Sequence, residues 1–296
     1  MSTRNANDDA WSAVNRTSQA VAALRWLEML LHGERALVRD RCVPLLLPEG
    51  RFPRADMAGV HIPENLHGDI VRIAAWLRDA RGEPGAARLR AHVDRLALRT
   101  ARIDAVLGEY LRDIRQLVIV GAGLDTRAFN LTAAREATVF EVDFPHVLAF
   151  KAARLGGLPL ACRARSEVAC DAAAADLSQR LAEHGFQRGA PTVWLVEGVF
   201  VYLDAAQVAA VNASLAALSA VGSRLVATFI GARSPETFSR GMVTRCDDPA
   251  ALLAPWGWHV HVTHYADIAR EFGRDFPPGD DFYLALSAPR AASCTG

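Results

Sequence analysis

A glycine-rich turn and an acidic strand end lie 20 residues apart near the middle of the chain. The largely apolar residues 116–120 lead directly into Gly121-Ala122-Gly123. Because side chains are nearly absent at this turn, a ligand can approach the backbone closely. Asp143 ends the next apolar run, and a carboxylate at this spacing typically accepts hydrogen bonds from both hydroxyls of a ribose. The alternative is that Asp143 caps a helix that begins at Phe144-Pro145.

The residues after the glycines distinguish between classes of nucleotide. A dinucleotide-binding turn would have a third small residue at position 126 and helix amides that face a pyrophosphate, whereas this chain has Asp125 and Thr126. The Asp125 carboxylate repels a phosphate and suits a ligand with an ammonium group and no phosphate. The amino-acid end of S-adenosylmethionine (SAM) is such a ligand, so the turn favours SAM over NAD.

Two further carboxylates follow predicted strands. Glu197 ends the apolar run 193–196, and a lone carboxylate in such a run is costly unless a ligand or a nearby arginine pairs with it. Asp171, with Ala172 beside it, follows the third predicted strand. It is interpreted either as a contact of an adenine amine or as an ordinary loop residue.

The elements that must position these residues fall into two parts. From Trp11 to about Ile114, apolar residues at three- and four-residue intervals predict helices. From Leu117 onward, short Val- and Ile-rich runs alternate with helix-like stretches, which is typical of a parallel sheet with crossover helices. The predicted strands lie near residues 117–120, 138–142, 166–170, 192–196, 224–230, 258–262 and 282–286.

Local signals locate one helix start and two breaks. Asp204 and Gln207 have the spacing of a capping box. The buried face of the helix that follows is predicted to contain Val208, Val211, Leu215 and Leu218. Prolines and glycines between Pro44 and Pro63 predict a loop that serves as a lid or hinge, and residues 81–85 predict a second break.

The composition limits the kind of protein. A chain of 296 residues with 51% hydrophobic residues and zero formal net charge can bury a large core, but it offers no basic field for a nucleic acid or an anionic membrane. Five cysteines without Cys-x-x-Cys spacing read as reduced thiols, and no metal is expected. Residues 1–9 lack the features of a secretory signal, and the apolar stretch 193–203 is about half the length of a membrane span. We therefore predict a cytoplasmic protein that binds a small molecule.

Several segments carry a resemblance to a known family. They are Arg99-Thr100-Ala101-Arg102-Ile103-Asp104, residues 116–120, Gly121-Ala122-Gly123-Leu124-Asp125-Thr126-Arg127-Ala128-Phe129, Phe140-Glu141-Val142-Asp143-Phe144-Pro145 with Lys151, and Glu197-Gly198-Val199-Phe200-Val201-Tyr202-Leu203. Over residues 95–265 the chain resembles the leucine carboxyl methyltransferase family. Within it, the bacterial small-molecule branch that includes polyketide O-methyltransferases is most similar. Only Lys151 among the 33 basic residues is a lysine, which we interpret as a codon bias.

The resemblance implies an α/β, Rossmann-like class I SAM-dependent methyltransferase fold. Its seven-stranded sheet has an antiparallel last strand, helices on both faces and an N-terminal helical lid. We divide the chain into a lid or substrate cap, residues 1–95, and a SAM-binding core, residues 96–296. The cofactor residues that we predict are Arg99, Gly121, Ala122, Gly123, Asp125, Asp143, Asp171, Ala172 and Glu197.

The resemblance also implies a role for five of these residues. Arg99 pairs with the SAM carboxylate, Gly121 lies against the methionine part, Asp143 holds the ribose, Asp171 adjoins the adenine and Glu197 lies near the ammonium group. The family usually has Asp-Leu where this chain has Asp171-Ala172, and an Asp176-Leu177 pair follows five residues later. Asp171 is preferred because Asp176 fits a helix cap.

The expected reaction is an in-line methyl transfer, for which the protein holds the reacting atoms collinear and excludes water. A carboxylate acceptor is already ionised and needs no base, whereas a hydroxyl would gain from one. Tyr202 and His264 are the candidates that we retain for that role, with His61, His67 and His259 behind them; a surface or lid position is the alternative for each histidine. Oxygen methylation of a small organic acceptor is favoured over methylation of a protein C-terminus.

Two other functions remain open from the sequence. The glycine turn and Asp143 also occur in NAD-dependent oxidoreductases on a Rossmann domain, although Thr126 counts against this class. A SAM-binding regulator without catalytic activity would have the same cofactor residues.

Overall fold

A computed structural model describes residues 6–47, 62–66, 69–80, 82–234, 242–276 and 281–291, with side chains from residue 17 onward. The α-helices of this part are α1 (Ala6–His32), α2 (Val43–Leu46), α3 (Ile70–Asp79), α4 (Pro84–Tyr110), α5 (Arg127–Asn130), α6 (Pro145–Leu155), α7 (Leu177–Glu183), α8 (Ala205–Leu218), α9 (Pro249–Leu253) and α10 (Tyr265–Glu271). The strands are β1 (Gln116–Val120), β2 (Thr138–Asp143), β3 (Ala164–Ala169), β4 (Thr192–Val196), β5 (Arg224–Ile230), β6 (Val260–His264) and β7 (Phe282–Ser287).

The strands form one sheet in the order β3-β2-β1-β4-β5-β7-β6, in which β7 runs antiparallel to both of its neighbours. β1 lies between β2 and β4, with Val120 beside Val142 and Val196. The predicted class I sheet with its antiparallel last strand is confirmed. Because parallel strands place their carboxyl ends at one edge, the glycine turn, Asp143 and Glu197 meet there.

Helices cover both faces of the sheet. Leu117 and Ile119 of β1 belong to one buried cluster with apolar residues of α1, α3 and α4. Val118 and Val120 point to the opposite face and belong to a second cluster with α7 and α8. This alternation follows from the two-residue repeat of a strand. Because both faces of β1 are buried, its sequence is a nearly continuous apolar run.

The N-terminal part is helical, as predicted. α1 packs against α3 and α4, and α4 runs without interruption across position 95, where we place the boundary between the lid and the core. The prediction of a loop from Pro44 is wrong for its first residues, because Pro44 lies in the first turn of α2, where its missing amide costs nothing. Residues 48–61, which hold most of that loop and His61, lie outside the described residues, as does His67.

The prediction for the start and the buried face of α8 is confirmed. Asp204 and Gln207 form the capping box of α8, and the four predicted core residues of this helix are buried. The break predicted at residues 81–85 falls between α3 and α4, but Pro84 and Gly85 already belong to the first turn of α4, where proline is tolerated. Cys42, Cys162, Cys170 and Cys246 are buried free thiols. Within the described ranges, no helix has the length and apolarity that crossing a membrane requires.

Candidate functional site

A cavity of about 260 Å³ lies at the carboxyl edge of the sheet. Its floor is formed by the residues that follow β1, β2 and β4 and by the ends of β5 and β7 that meet at this edge. Residues of α1, α4 and α10 enclose it from the other side. The cavity therefore extends across five of the seven strands.

The glycine turn forms one wall of the cavity and has no room for larger side chains. Gly121 and Gly123 have φ angles of +66° and +44°, a region that other residues rarely adopt. A Cβ atom at Gly121 would lie 2.5 Å from Cγ2 of Val199, and one at Gly123 would lie 3.0 Å from Oγ of Ser18. Both glycines are thus favoured by conformation, and Gly121 is also required by the space that Val199 leaves.

Asp143 lies at the mouth of this turn and is almost fully buried. Its carboxylate accepts hydrogen bonds from the amides of Gly123, at 2.6 Å, and Phe144, at 2.7 Å. Burial raises the pKa of this carboxyl group, and the two amides act in the opposite direction. α6 begins at Pro145 with Phe144 as its N-cap residue, so Asp143 joins the two strand ends instead of capping that helix.

An ion-pair network lines the cavity next to the end of β4. Glu197 lies 2.6 Å from Nε of Arg99 and accepts a hydrogen bond of 2.8 Å from Arg127. Arg127 also pairs with Asp104, at 2.6 Å, and with Asp125. Burial would raise the pKa of Glu197, but Arg127 and Arg99 outweigh it and lower that pKa to about 2. Glu197 is therefore a fixed negative charge, which explains how a carboxylate persists at the end of an apolar strand.

Helix α1 closes the cavity over the glycine turn. Arg25 donates a hydrogen bond of 2.6 Å to the carbonyl of Leu124 and lies 3.1 Å from the Asp40 carboxylate. Thr126 donates to that same carboxylate at 2.6 Å. Thr126 is thus used to hold α1 and the segment after it against the turn.

The cavity continues beyond the ion pairs to an aromatic end. Tyr265, the first residue of α10, is 2% exposed, and its ring centroid lies 5.7 Å from that of Phe282 on β7. The guanidinium of Arg95 lies over the Phe282 ring, 4.6 Å from its centroid. Among the described residues no hydrogen-bond partner exists for the Tyr265 hydroxyl. Burial raises the pKa of this phenol, so it stays protonated and can donate.

The cavity brings together seven of the nine predicted cofactor residues, all except Asp171 and Ala172. Asp171 is exposed at the end of β3, and its carboxylate accepts a hydrogen bond of 2.9 Å from the amide of Ala173. Of the two base candidates, Tyr202 lines the cavity and His264 does not. His264 instead caps the N-terminus of α10, where its Nδ1 accepts a hydrogen bond of 3.0 Å from the amide of Ala266.

Sequence reasoning assigned no role to four residues that shape this site: Arg127, Asp104, Tyr265 and Phe282. Arg127 and Asp104 stand within the segments that carry the family resemblance, which was the available signal. Tyr265 and Phe282 lie on elements near the C-terminus, and only the sheet order brings them to the cavity.

The residues present fit an adenosyl amino acid. Gly121 and Gly123 line the cavity without side chains, Asp143 offers a carboxylate for a ribose, and Arg99 and Glu197 offer one charge of each sign to an amino-acid group. With this sheet, the site defines a class I SAM-dependent methyltransferase. The sequence model of the leucine carboxyl methyltransferase family matches residues 18–216, and the chain belongs to that family.

Curated relatives agree with this class. A protein of Mycolicibacterium paratuberculosis, provisionally named an S-adenosyl-L-methionine-dependent methyltransferase, is 32% identical over 295 residues, which covers 91% of this chain and 88% of the relative. A Mycobacterium marinum protein of the same name is 32% identical over 273 residues, with coverages of 90% and 82%. SAM is therefore the cofactor of this enzyme, as predicted.

Solved structures support the fold. A methyltransferase structure from Thermobifida fusca aligns with a TM-score of 0.52 at 18% identity and covers 76% of this chain and 90% of that one. A DUF574 family protein from Streptomyces avermitilis aligns with a TM-score of 0.50 at 18% identity, with coverages of 75% and 91%.

Proposed function

We propose that the enzyme transfers the SAM methyl group to an oxygen atom of a small organic acceptor bound at the aromatic end of the cavity. The observation that carries this proposal is the continuity of one cavity from the glycine turn to Tyr265 and Phe282. The cofactor cradle accounts for the part over β2, β1 and β4. The remaining part, over β5 and β7, is lined mainly by apolar and aromatic side chains, which suits a small acceptor better than a polypeptide.

Each part of SAM is held by different residues in this proposal. The glycine turn admits the methionine part, Asp143 accepts from the ribose hydroxyls, and the Arg99–Glu197 pair receives the amino-acid group. A zwitterion matches that pair, because its carboxylate suits the guanidinium and its ammonium group suits Glu197. SAM supplies an electrophilic methyl group when bound, while the lid helices α1 and α4 exclude water. Asp171 and Ala172 stay a proposal for the adenine end.

The part of the cavity near Tyr265 and Phe282 favours an acceptor whose oxygen is already deprotonated before it binds. Of the described residues that line the cavity, none is a histidine. Tyr265 is a hydrogen-bond donor, and the half-buried Tyr202 is the other phenol that lines the cavity. Methylation of a carboxylate or an acidic hydroxyl needs only an oriented oxygen at near-attack distance. The residues of this chain would then act by orientation, with no base required.

Labelled SAM tests this function directly. The purified enzyme is incubated with methyl-labelled SAM and a panel of small carboxylic acids, phenols and alcohols, with a peptide that ends in leucine as the protein arm. Labelled small-molecule ester or ether is the expected product. Labelling of the peptide alone would overturn the small-acceptor proposal, and no label in any arm would favour a SAM-binding regulator.

Tyr265→Phe serves as the variant for the acceptor end. It removes one hydroxyl and keeps the ring against Phe282. We expect unchanged affinity for S-adenosylhomocysteine (SAH) and a lower kcat/KM for the acceptor that the panel identifies. An unchanged kcat/KM would remove Tyr265 from the acceptor site.

A further inference from the structure

The only lysine of the chain is buried at the base of the cofactor site. Lys151 lies on α6 and is fully inaccessible to solvent. The 32 other basic residues are arginines, so the composition of this chain strongly favours arginine wherever a positive charge suffices. Lys151 is thus an exception that composition does not explain, and its surroundings supply a reason.

The Lys151 ammonium group joins two parts of the site. It lies 2.7 Å from Oε2 of Glu141 in the middle of β2, and it donates a hydrogen bond of 3.0 Å to the backbone carbonyl of Asp125. Asp125 ends the glycine turn, and its carboxylate pairs with Arg127. The ammonium group is compact and its donors rotate freely, whereas a guanidinium is larger and planar, so lysine suits this closed position.

Charge balance around Glu141 does not by itself require the lysine. Arg165 donates a hydrogen bond of 2.6 Å to the same Glu141 oxygen and also pairs with Glu167. Burial would raise the pKa of Glu141, but Lys151 and Arg165 outweigh it and lower that pKa. Glu141 would therefore keep one cation without Lys151. The contact that only Lys151 makes is the one to the Asp125 carbonyl.

A second cation, from a different helix, holds the neighbouring peptide group. Arg25 of α1 donates to the carbonyl of Leu124 at 2.6 Å, and Lys151 of α6 donates to the next carbonyl, that of Asp125. The turn is thus fixed between the lid helix and a helix of the core. Arg25 lines the cavity, whereas Lys151 does not, so the lysine can act on the cofactor only through the turn.

We propose that Lys151 is a positioning residue for SAM, which holds the Asp125 carbonyl and thereby sets the glycine turn and the Asp125 carboxylate for the cofactor. The proposal concerns cofactor binding and does not depend on the acceptor. Its alternative is that Lys151 serves the fold alone, as one member of a buried ion-pair network.

Two matched variants separate these roles. Lys151→Met removes the contact to Asp125 and leaves Glu141 paired with Arg165. Glu141→Gln disturbs the same buried pair and keeps the lysine beside the Asp125 carbonyl. SAH affinity is measured by calorimetry and stability by urea unfolding. We expect both variants to lose stability, with SAH affinity lower by about 10- to 100-fold in Lys151→Met, the range for a charge-assisted hydrogen bond. Glu141→Gln should bind SAH within about 3-fold of wild type.

A double variant, Lys151→Met with Glu141→Gln, keeps the test decisive if Lys151→Met folds poorly, because it removes both charges of the Lys151–Glu141 pair and leaves Arg165 paired with Glu167. The proposal predicts that this variant regains stability, that its SAH affinity stays low and that amides of residues 122–127 exchange hydrogen faster than in wild type. SAH affinity that returns together with stability would overturn the proposal. SAH binding by the wild-type enzyme is measured alongside, so that a failure of cofactor binding itself is recognised separately.

Discussion

Replacing Gly121 with alanine tests the tightest contact of the cofactor turn. Alanine at a φ of +66° costs about 1–2 kcal/mol of the free energy of unfolding, because its Cβ crowds the backbone in the left-handed region. The new Cβ also lies 2.5 Å from Cγ2 of Val199, well inside normal contact, which adds about 1–3 kcal/mol of overpacking. We expect a total loss of about 2–5 kcal/mol, together with loss of SAH binding.

The chain offers a matched control for the conformational cost of placing alanine at a positive φ. Gly273 has a φ of +62°, and in the described structure no neighbouring atom lies within 4 Å of the place where its Cβ would be. Gly273→Ala should therefore lose only the conformational part, about 1–2 kcal/mol, and should bind SAH normally. Urea unfolding gives the stabilities, and calorimetry with SAH gives the affinities.

A second change tests the contact between the new Cβ at position 121 and Cγ2 of Val199 separately from the backbone conformation. Val199→Ala removes Cγ2 and leaves the Val199 Cβ at 3.7 Å, an ordinary contact distance. Gly121→Ala in the Val199→Ala background should thus cost only about 1–2 kcal/mol. If Gly121→Ala is no less stable than Gly273→Ala, or if Val199→Ala brings no relief, the close approach that we infer at this turn is wrong.

Three further predictions follow from the charged groups of the site and its lid. Asp143→Ala should cost about 2–4 kcal/mol of SAH binding through loss of charge-assisted hydrogen bonds, while Asp171→Ala is the comparison at the other strand end. Arg99→Ala should lower SAH affinity at least about 10-fold and leave the fold intact, since Glu197 keeps Arg127 as a partner. Burial, with Arg95 and Arg88, lowers the pKa of His92 to about 3, so unfolding takes up a proton below pH 6.5. Stability should therefore fall by about 2 kcal/mol between pH 6.5 and 5, and His92→Gln should remove this pH dependence.

Each of these has a result that contradicts it. Unchanged calorimetric affinity in Asp143→Ala would remove the ribose assignment, and an equal loss in Asp171→Ala would show that Asp171 reaches the cofactor. Normal SAH binding by Arg99→Ala would remove the arginine from the amino-acid end. A His92→Gln variant whose urea midpoint depends on pH as steeply as that of wild type would show that His92 is not the group that titrates.

The sheet was predictable wherever both faces of a strand are buried. β1 and β4 lie inside the sheet, are buried along their whole length and stand out as apolar runs. β3 and β6 form the two edges and are only partly buried, so their sequences are mixed and their observed bounds start two residues from the predicted ones. Edge strands carry a weaker pattern because one side faces solvent.

The site was predictable where its residues are close in sequence to a strand end. The glycine turn and Asp143 follow from spacing alone. The partners of Arg127 come from α4, from the turn and from the end of β4, 70 residues away, so no local pattern reveals the network. Lys151 likewise appears as a composition anomaly in the sequence, and its contact with the Asp125 carbonyl is visible only once α6 is packed on the turn.

Calorimetric titration of the purified wild-type protein with SAH, with NAD in a parallel experiment, tests the central claim most directly. The cradle formed by the glycine turn, Asp143 and the Arg99–Glu197 pair predicts saturable binding of one SAH per chain and no binding of NAD. Absence of SAH binding, or saturable binding of NAD alone, would contradict the account of this cavity as a SAM site.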